Sequence, residues 1–193
     1  MHMININNAV QFQHLIWDHI MKSASVVVDA TCGNGHDLLY LAQRAKAECH
    51  LYGIDIQEQA IGASRQLLAS KTLQSDVTIT FLHNSHDIAL HEAIKENSID
   101  LIIFNLGYLP GGDHRIITRP KHTIDALKNA FPKLAKDGAI TIVAYPGTPE
   151  GMNEKEELQF FLSELEQNKF NVCHWHPLNQ VNNPPELFII QKR

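Results

Sequence analysis

Short runs of β-branched residues alternate along the chain with longer segments in which apolar residues recur every three or four positions. The short runs are typical of buried strands, and the longer segments are typical of helices that bury one face. Strands are predicted over Val26–Asp29, His50–Ile54, Val77–Leu82, Ile99–Asn105, Ala139–Ala144, Asn171–His176 and Leu187–Gln191. Helices are predicted over Val10–Met21, His36–Lys46, Gln57–Ser70, Asp87–Glu96, Thr123–Leu134 and Asn153–Asn168. The alternation predicts a doubly wound α/β domain with a mostly parallel sheet, and the two consecutive last strands predict an antiparallel hairpin at its edge.

Length and composition fit one globular domain. The chain has 193 residues, of which 44% are hydrophobic and 19% are charged, which is enough to bury a core. We therefore expect a single domain over residues 1–193, with residues 1–24 as an N-terminal helical extension.

No apolar run approaches the roughly 18 residues of a membrane span, so no membrane is expected as a partner. The three cysteines form no CxxC pair, which favours a reducing, cytoplasmic location.

Charge narrows the classes of partner. The net charge of −5 argues against a surface wholly committed to nucleic acid, but it leaves room for a local basic patch. The chain has 12 histidines, yet neither an HExxH motif nor a Cys/His spacing typical of zinc sites is present. No metal is therefore predicted.

A glycine-rich loop, DATCGNGHD (29–37), follows the first predicted strand. Gly33 and Gly35 allow the backbone to turn tightly and to approach a ligand, and the next helix points its N-terminal amides toward the same place. Asp55 ends the second strand, where an acid can accept both hydroxyl groups of a ribose. NAD and S-adenosylmethionine both fit these features.

Two residues favour S-adenosylmethionine over NAD. Leu38 stands where the dinucleotide fingerprint requires a third small residue. Asp29, beside the glycine loop, would repel a pyrophosphate but suits the cationic amino-acid end of S-adenosylmethionine. Polar residues after the third strand are placed to meet an adenine edge. The predicted cofactor-binding residues are Asp29, Cys32, Gly33, Asn34, Gly35, His36, Asp37, Asp55, Ile56, Gln57, Asn84, Ser85, His86 and Asn105.

The fourth strand runs into NLGYLPGGDH (105–114), the candidate chemical site. Amino-directed methyltransferases carry Asn or Asp, two prolines and then Tyr or Phe at this place, and here Asn105 and Tyr108 hold the outer positions. The Asn105 oxygen and the Leu106 carbonyl could accept the N–H bonds of a target amine, and Tyr108 could stack on a planar base. Asp113 or His114 could act as the base. A Gly/Pro-rich turn without chemistry is the alternative.

Two further features bear on the substrate. The loop contains no cysteine, so carbon methylation through a covalent intermediate is not expected. Arg115, Arg119 and Lys121 follow the loop together with His122, and these cations would face a phosphate backbone at the mouth of the pocket. A solvated loop explains the same cluster equally well.

These segments together resemble the small bacterial proteins named as rRNA methylases, some of which are assigned as tRNA 5-aminomethyl-2-thiouridine methyltransferases. The matching blocks are DATCGNGHD (29–37), GIDIQ (53–57), NLGYLPGGDH (105–114), Tyr145–Gly147 with Glu150 and Gly151, and QVNNPPELFIIQK (180–192). Two positions depart from the pattern: Thr148 replaces an expected His, and Leu38 an expected Thr. The first departure puts a proton-relay role at position 148 in doubt.

The resemblance implies a Rossmann-like class I methyltransferase sheet with S-adenosyl-L-methionine as the cofactor. It also implies tRNA as the partner, bound at its anticodon region, and methylation of the exocyclic amine of an aminomethyl uridine. The loop over residues 182–185 would then either shape the nucleotide entrance or serve only as a turn before the last strand.

Three other functions remain open from the sequence. The chain could methylate another RNA or a small-molecule amine, since no added RNA-binding domain is evident. It could be a non-catalytic module that binds a cofactor or RNA, which the Asn105–Tyr108 block argues against. An NAD-dependent enzyme is disfavoured by Asp29 and Leu38. The oligomeric state is also open, with a homodimer among the alternatives.

Overall fold

Seven strands and six helices make up the part of the chain that the computed structural model describes, namely residues 8–73, 76–109, 111–112 and 115–193. The strands are β1 (Val26–Asp29), β2 (His50–Asp55), β3 (Thr78–His83), β4 (Ile99–Asn105), β5 (Leu134–Ala144), β6 (Phe170–Trp175) and β7 (Glu186–Lys192). The helices are α1 (Ala9–Ile20), α2 (His36–Ala42), α3 (Glu58–Ala69), α4 (His86–Ile88, continued by a π-helical turn over Ala89–Ala93), α5 (Pro120–Lys133) and α6 (Pro149–Ser163). None of these helices is long and apolar enough to cross a membrane.

The strands form one sheet in the order β3-β2-β1-β4-β5-β7-β6. All neighbouring pairs are parallel except those of β7, which runs antiparallel to both β5 and β6. This confirms the predicted mostly parallel sheet with an antiparallel pair at its edge. The strand order reverses between β1 and β4, so the loops that follow these two strands flank the crevice in which α/β sheets bind ligands.

Helices cover both faces of the sheet, as predicted. Successive strand residues point to opposite faces, so Val27 and Val28 of β1 belong to different apolar clusters. The Val27 cluster is covered by α1, α2 and α3, whereas the Val28 cluster is covered by the π-helical turn, α5 and α6. The fully buried Trp17 of α1 and Phe104 of β4 are among the largest side chains in the two clusters. The N-terminal helix is therefore an integral part of one layer.

Two helices begin earlier than the amphipathic pattern predicted. Helix α5 starts at Pro120 instead of Thr123, and α6 starts at Pro149 instead of Asn153. Proline is favoured at the first helical position because its missing N–H would have no partner there. In α6 the Thr148 hydroxyl also accepts the N–H of Gly151 at 3.1 Å, which caps the helix. Thr148 thus has a structural role at the position where a histidine was expected.

Two helices end earlier than predicted because their last turns tighten. After Ala42 of α2, the Arg44 N–H bonds to the Leu41 carbonyl at 3.0 Å instead of to the carbonyl four residues back. Bonds of the same three-residue spacing close α6 at Ser163, five residues before Asn168. Such a switch commonly ends a helix. Strand β5 begins five residues before Ala139, because Leu134 pairs with β4 across a register shift.

Candidate functional site

A cavity of about 790 Å³ opens at the carboxyl ends of β1, β2, β3, β4 and β5. The predicted site residues that line it are Cys32, Gly33, Asn34, His36, Asp37, Asp55, Ile56, Gln57, Asn84, Ser85, His86, Asn105, Tyr108 and Arg119. Four others, Asp29, Gly35, Arg115 and Lys121, are not among the lining residues. Asp113 and His114 lie outside the described residues. Most of the sequence prediction therefore converges on one cavity.

Asp55 and Gly33 form the floor where a ribose was predicted. One Asp55 carboxylate oxygen accepts the N–H of Gly33 at 2.9 Å, and the other accepts the N–H of Gln57 at 2.9 Å. Burial raises the pKa of Asp55, and these two backbone bonds oppose the rise. A carboxylate has about four lone-pair sites, so each oxygen keeps capacity for a further donor. The geometry fits a carboxylate held rigidly to receive two hydroxyl groups.

Asp29 is a buried acid, and one of its two carboxyl oxygens has no hydrogen-bond partner in the described part of the chain. The residue is 2% exposed, and one of its carboxylate oxygens accepts the Thr31 N–H at 3.1 Å. The other oxygen has no hydrogen-bond partner within the described residues. Burial raises the pKa of Asp29 well above its usual range, and the negative charges of Asp37 and Asp55 add to the rise. A cation beside the glycine loop would relieve this unfavourable burial, which fits the amino-acid end of S-adenosylmethionine.

Gly35 and Leu38 serve packing. A Cβ at Gly35 would lie 2.8 Å from the Ser64 Cα, and the φ angle of +84° also favours glycine. Gly35 thus lets α2 begin directly against α3. Leu38 is fully buried, and a Cβ at Gly53 of β2 would lie 2.7 Å from its Cδ2. The leucine fills the contact between α2 and the sheet, which explains its departure from the expected residue types.

His86 presents a neutral imidazole to the cavity. Burial lowers the pKa of His86 to about 4, partly offset by the Asp87 charge and by a hydrogen bond to the Ala30 backbone. Its Nε2 atom is buried and has no partner in the described part of the chain. The neighbouring Asn84 is fixed by its own N–H, which donates to the Asp55 carbonyl at 3.0 Å. Both side chains lie where an adenine edge was predicted.

Asn105 is oriented by its neighbours on two sides. Its backbone N–H donates to the Thr31 hydroxyl at 2.7 Å, and its side-chain NH₂ donates to the Asp37 carboxylate. An ionised carboxylate only accepts hydrogen bonds, so the amide must turn its nitrogen toward Asp37. The Oδ1 atom is then left buried without a partner among the described residues. Asn105, which lines the cavity, therefore has an amide oxygen whose direction is fixed.

The loop after β4 is held at its base by α6. The Gly107 N–H donates to the Thr118 hydroxyl at 2.7 Å, and the Thr118 N–H donates to the Gly107 carbonyl at 2.9 Å. The Thr118 hydroxyl donates in turn to the Glu154 carboxylate at 2.6 Å, and Glu154 also accepts the hydroxyl of Thr123 at 2.8 Å. Glu154 is only 3% exposed, and burial raises its pKa. This buried acid ties the candidate substrate loop to the helix layer.

Two tyrosines face the cavity near this loop. Tyr108 is 47% exposed and forms a β-bridge with Ile117. Tyr145 follows β5, and burial together with the Asp37 charge raises its pKa to about 12. Asn183, from the loop over residues 182–185, reaches the same cavity. The rim thus offers aromatic surface to a planar group.

The predicted cationic cluster divides between the cavity and the solvent. Arg119 and His122 line the cavity, and His122 lies 2.9 Å from the Asp87 carboxylate. The Lys121 ammonium instead bonds Asp125 at 2.9 Å on the exposed side of α5. The predicted RNA-binding role of these cations stays a prediction. In the described ranges, no group of three or more His, Cys, Asp or Glu residues could hold a metal ion.

Sequence reasoning missed several residues of the site. They are Thr31, Thr118, Tyr145 and Glu154, together with His14, whose Nε2 atom lies 3.3 Å from the Asp37 carboxylate. Thr31 and Tyr145 lie in segments that drew attention for other reasons, directly after strands. His14 and Glu154 come from helices far away in the chain, and no local spacing marks them.

Comparisons with known proteins agree with this geometry. The sequence model of the family described as "Putative rRNA methylase" matches residues 51–191. The chain is 33% identical over 190 residues to the chloroplastic tRNA (mnm5s2U34)-methyltransferase of Arabidopsis thaliana, covering 95% of this chain and 69% of that protein.

Two solved structures share the whole architecture. The "putative rRNA-methylase" of Clostridium thermocellum superimposes with a TM-score of 0.91 at 38% identity, covering 98% of this chain and 100% of that one. SMU.1697c of Streptococcus mutans, described as a "putative methyltransferase" in complex with SAH, gives a TM-score of 0.85 at 33% identity, covering 97% and 99%. The sheet is that of the class I S-adenosylmethionine-dependent methyltransferases, and the chain belongs to the rRNA methylase family.

Proposed function

We propose that this chain is an S-adenosylmethionine-dependent N-methyltransferase that acts on the amine of 5-aminomethyl-(2-thio)uridine at the wobble position of tRNA. The observation that carries the proposal is the fixed side-chain amide of Asn105, which lines the cavity and whose Oδ1 has no hydrogen-bond partner among the described residues. The printed name of the Arabidopsis relative supports tRNA as the substrate, and the SAH-bound relative from Streptococcus mutans supports the cofactor. The predicted restriction to an amine rests on Asn105.

The residues around the glycine loop fit S-adenosylmethionine. Asp55 would hold the ribose, and His86 and Asn84 would meet the adenine. Asp29 lies buried behind the glycine loop, and its carboxyl oxygen without a partner among the described residues would offer negative charge to the cationic end. S-adenosylmethionine supplies the methyl group when it is bound. Leu38 occupies the position at which a dinucleotide-binding loop has its third small residue, so NAD fits this loop poorly.

The other half of the cavity would orient the amine. The Asn105 Oδ1 and the Leu106 carbonyl would each accept an N–H of a neutral amine, which aims its lone pair along one direction. Tyr108 and Tyr145 would flank the uracil ring that carries the amine. Such a reaction depends mainly on alignment, because a neutral amine is already a competent nucleophile. An ammonium has no free lone pair, so the rate should rise with pH until the amine is mostly deprotonated.

Replacement of Asn105 tests the proposal directly. For Asn105→Ala, we expect kcat for tRNA carrying the aminomethyl group to fall by roughly 5–150-fold, the effect of one lost hydrogen bond to a buried group. The KM for tRNA should change much less than kcat. Asn105→Asp keeps an acceptor and should retain part of the activity. The matched control is Asn153→Ala, since Asn153 lies exposed on α6.

Two results would contradict the proposal. Full activity of Asn105→Ala would remove Asn105 from the chemistry. Equal methylation of tRNA with and without the aminomethyl group would show that the amine is not the acceptor, and would return the choice to another RNA or to a small-molecule amine.

A further inference from the structure

Helix α1 is fixed to the body of the domain on both sides. On the sheet side, the indole N–H of the fully buried Trp17 donates to the Thr141 hydroxyl of β5 at 3.0 Å. On the helix side, Asp18 accepts the Tyr40 hydroxyl at 2.8 Å and the Arg44 guanidinium at 2.6 Å. These contacts hold α1 against β5 and against α2 and the residues that follow it. Residues 8–50, including all of α1, are also outside the segment that the family model matches.

His14 of α1 reaches the back of the cavity wall. Its Nε2 lies 3.3 Å from Asp37 Oδ1, and its ring stacks on the Tyr40 ring with centroids 3.8 Å apart. The Asp37 carboxylate can only accept, so Nε2 must carry the proton in this contact. One turn earlier in α1, Val10 lines the cavity itself. The N-terminal helix therefore contributes both to the wall and to its support.

Asp37 links this helix to the candidate chemical residue. One carboxylate oxygen of Asp37 faces His14, and the other accepts the side-chain NH₂ of Asn105. The carboxylate also lies near the buried charge of Asp29, whose pKa it raises. Without the bond from His14, Asp37 would be free to rotate away from Asp29. Asn105 would then lose the partner that fixes the direction of its side-chain nitrogen and, with it, the direction of its oxygen.

We infer that α1 is part of the active site and that His14 is a positioning residue, which fixes Asp37 and thereby the direction of the Asn105 acceptor. The inference rests on the proposed function, because it assigns the support of the same amide. His14 is not among the residues that line the cavity, so we expect it to contact neither the amine nor the cofactor. Its loss should therefore change the alignment of the reacting groups and leave the binding of both substrates nearly intact.

Two substitutions separate the hydrogen bond from the ring contact. His14→Phe keeps a ring against Tyr40 and removes the donor, whereas His14→Gln keeps a donor and removes the ring. We expect kcat to fall about tenfold in His14→Phe, and to stay within about threefold of the unmodified protein in His14→Gln. The KM for tRNA and the Kd for SAH should stay within about twofold in both. His19→Phe, at an exposed position of the same helix, is the matched control.

A double variant tests the route through Asn105. If His14 acts by holding the amide, His14→Phe should have no further effect on kcat in an Asn105→Ala background. Multiplying effects would overturn the inference, as would unchanged kcat in His14→Phe or an equal loss in His14→Gln. These failures differ from that of the proposed function, which is signalled by full activity of Asn105→Ala alone. Thermal melts of each variant identify a loss of folding, and His14→Gln then remains the informative variant.

Discussion

His86 makes the free energy of unfolding depend on pH. Its imidazole is buried at the cavity, and burial lowers its pKa from 6.5 to about 4. Between these two values the unfolded chain binds a proton that the folded chain does not. The stability that the neutral His86 contributes is therefore present at neutral pH, and it is lost as the pH falls toward 4. Linkage gives a loss of about 2 kcal/mol between pH 7 and pH 5 for this one group.

The measurement compares the protein with a His86→Phe variant, which keeps a ring beside Phe104. Other buried groups titrate in the opposite sense, since Asp29, Asp55 and Glu154 have raised pKa values and contribute stability that is lost as the pH rises. The total pH profile is thus a sum of opposing contributions. The difference between protein and variant isolates His86, because the acids are present in both.

Urea unfolding at pH 7, 6 and 5 should give a difference in stability between protein and variant that shifts by about 2 kcal/mol in favour of the variant from pH 7 to pH 5. The same substitution at the exposed ring of His91 is the matched control for replacing a histidine by phenylalanine. A constant difference for His86→Phe would refute the reasoning. It would mean that the folded protein accepts a proton at this ring as readily as the unfolded chain does.

Two further predictions concern the ligands. Asp55→Ala should weaken SAH binding by roughly 1–3 kcal/mol in calorimetry, because the ribose hydroxyls lose their acceptor, and unchanged affinity would remove Asp55 from the site. Neutralising Arg115, Arg119 and Lys121 together should weaken tRNA binding and flatten its salt dependence, each lost phosphate contact lowering the slope by about 0.7–0.9. Lys121 bonds Asp125, whereas Arg119 lines the cavity, so replacing Arg119 alone should weaken tRNA binding more than replacing Lys121 alone. An unaltered salt slope would mean that these cations do not meet phosphates.

The order of strands and helices could be predicted because each carries a periodicity of its own. The ends of the strands that border the cavity could be predicted for the same reason. Asp55 and Asn105 were therefore placed correctly at the ends of β2 and β4. Helix starts were less accurate where the amphipathic pattern began late. The signal was nevertheless present in Thr148-Pro149, since a threonine cap followed by proline is typical of a first turn.

The supporting residues of the site could not be predicted from local pattern. Glu154 is one acid among several on a charged helix, and only the fold buries it against Thr118 and Thr123. His14 is separated from Asp37 by 23 positions and from Asn105 by a further 68. Contacts of this kind depend on how α1, α2 and β4 pack together. A single sequence carries no periodic mark of that packing.

The position of β7 between β5 and β6 imposes an order on the assembly of the sheet. Strand β6 precedes β7 in the chain, yet its ladder of hydrogen bonds is made with β7 alone. Until β7 has been synthesised, β6 lacks the strand with which it pairs in the sheet. During translation β6 must therefore wait outside the sheet while the parallel strands assemble. The last strand pair to form is then β6 with β7, which lies at the edge of the sheet away from β1 and β4. A nascent chain could therefore build its cofactor site before its sheet is complete.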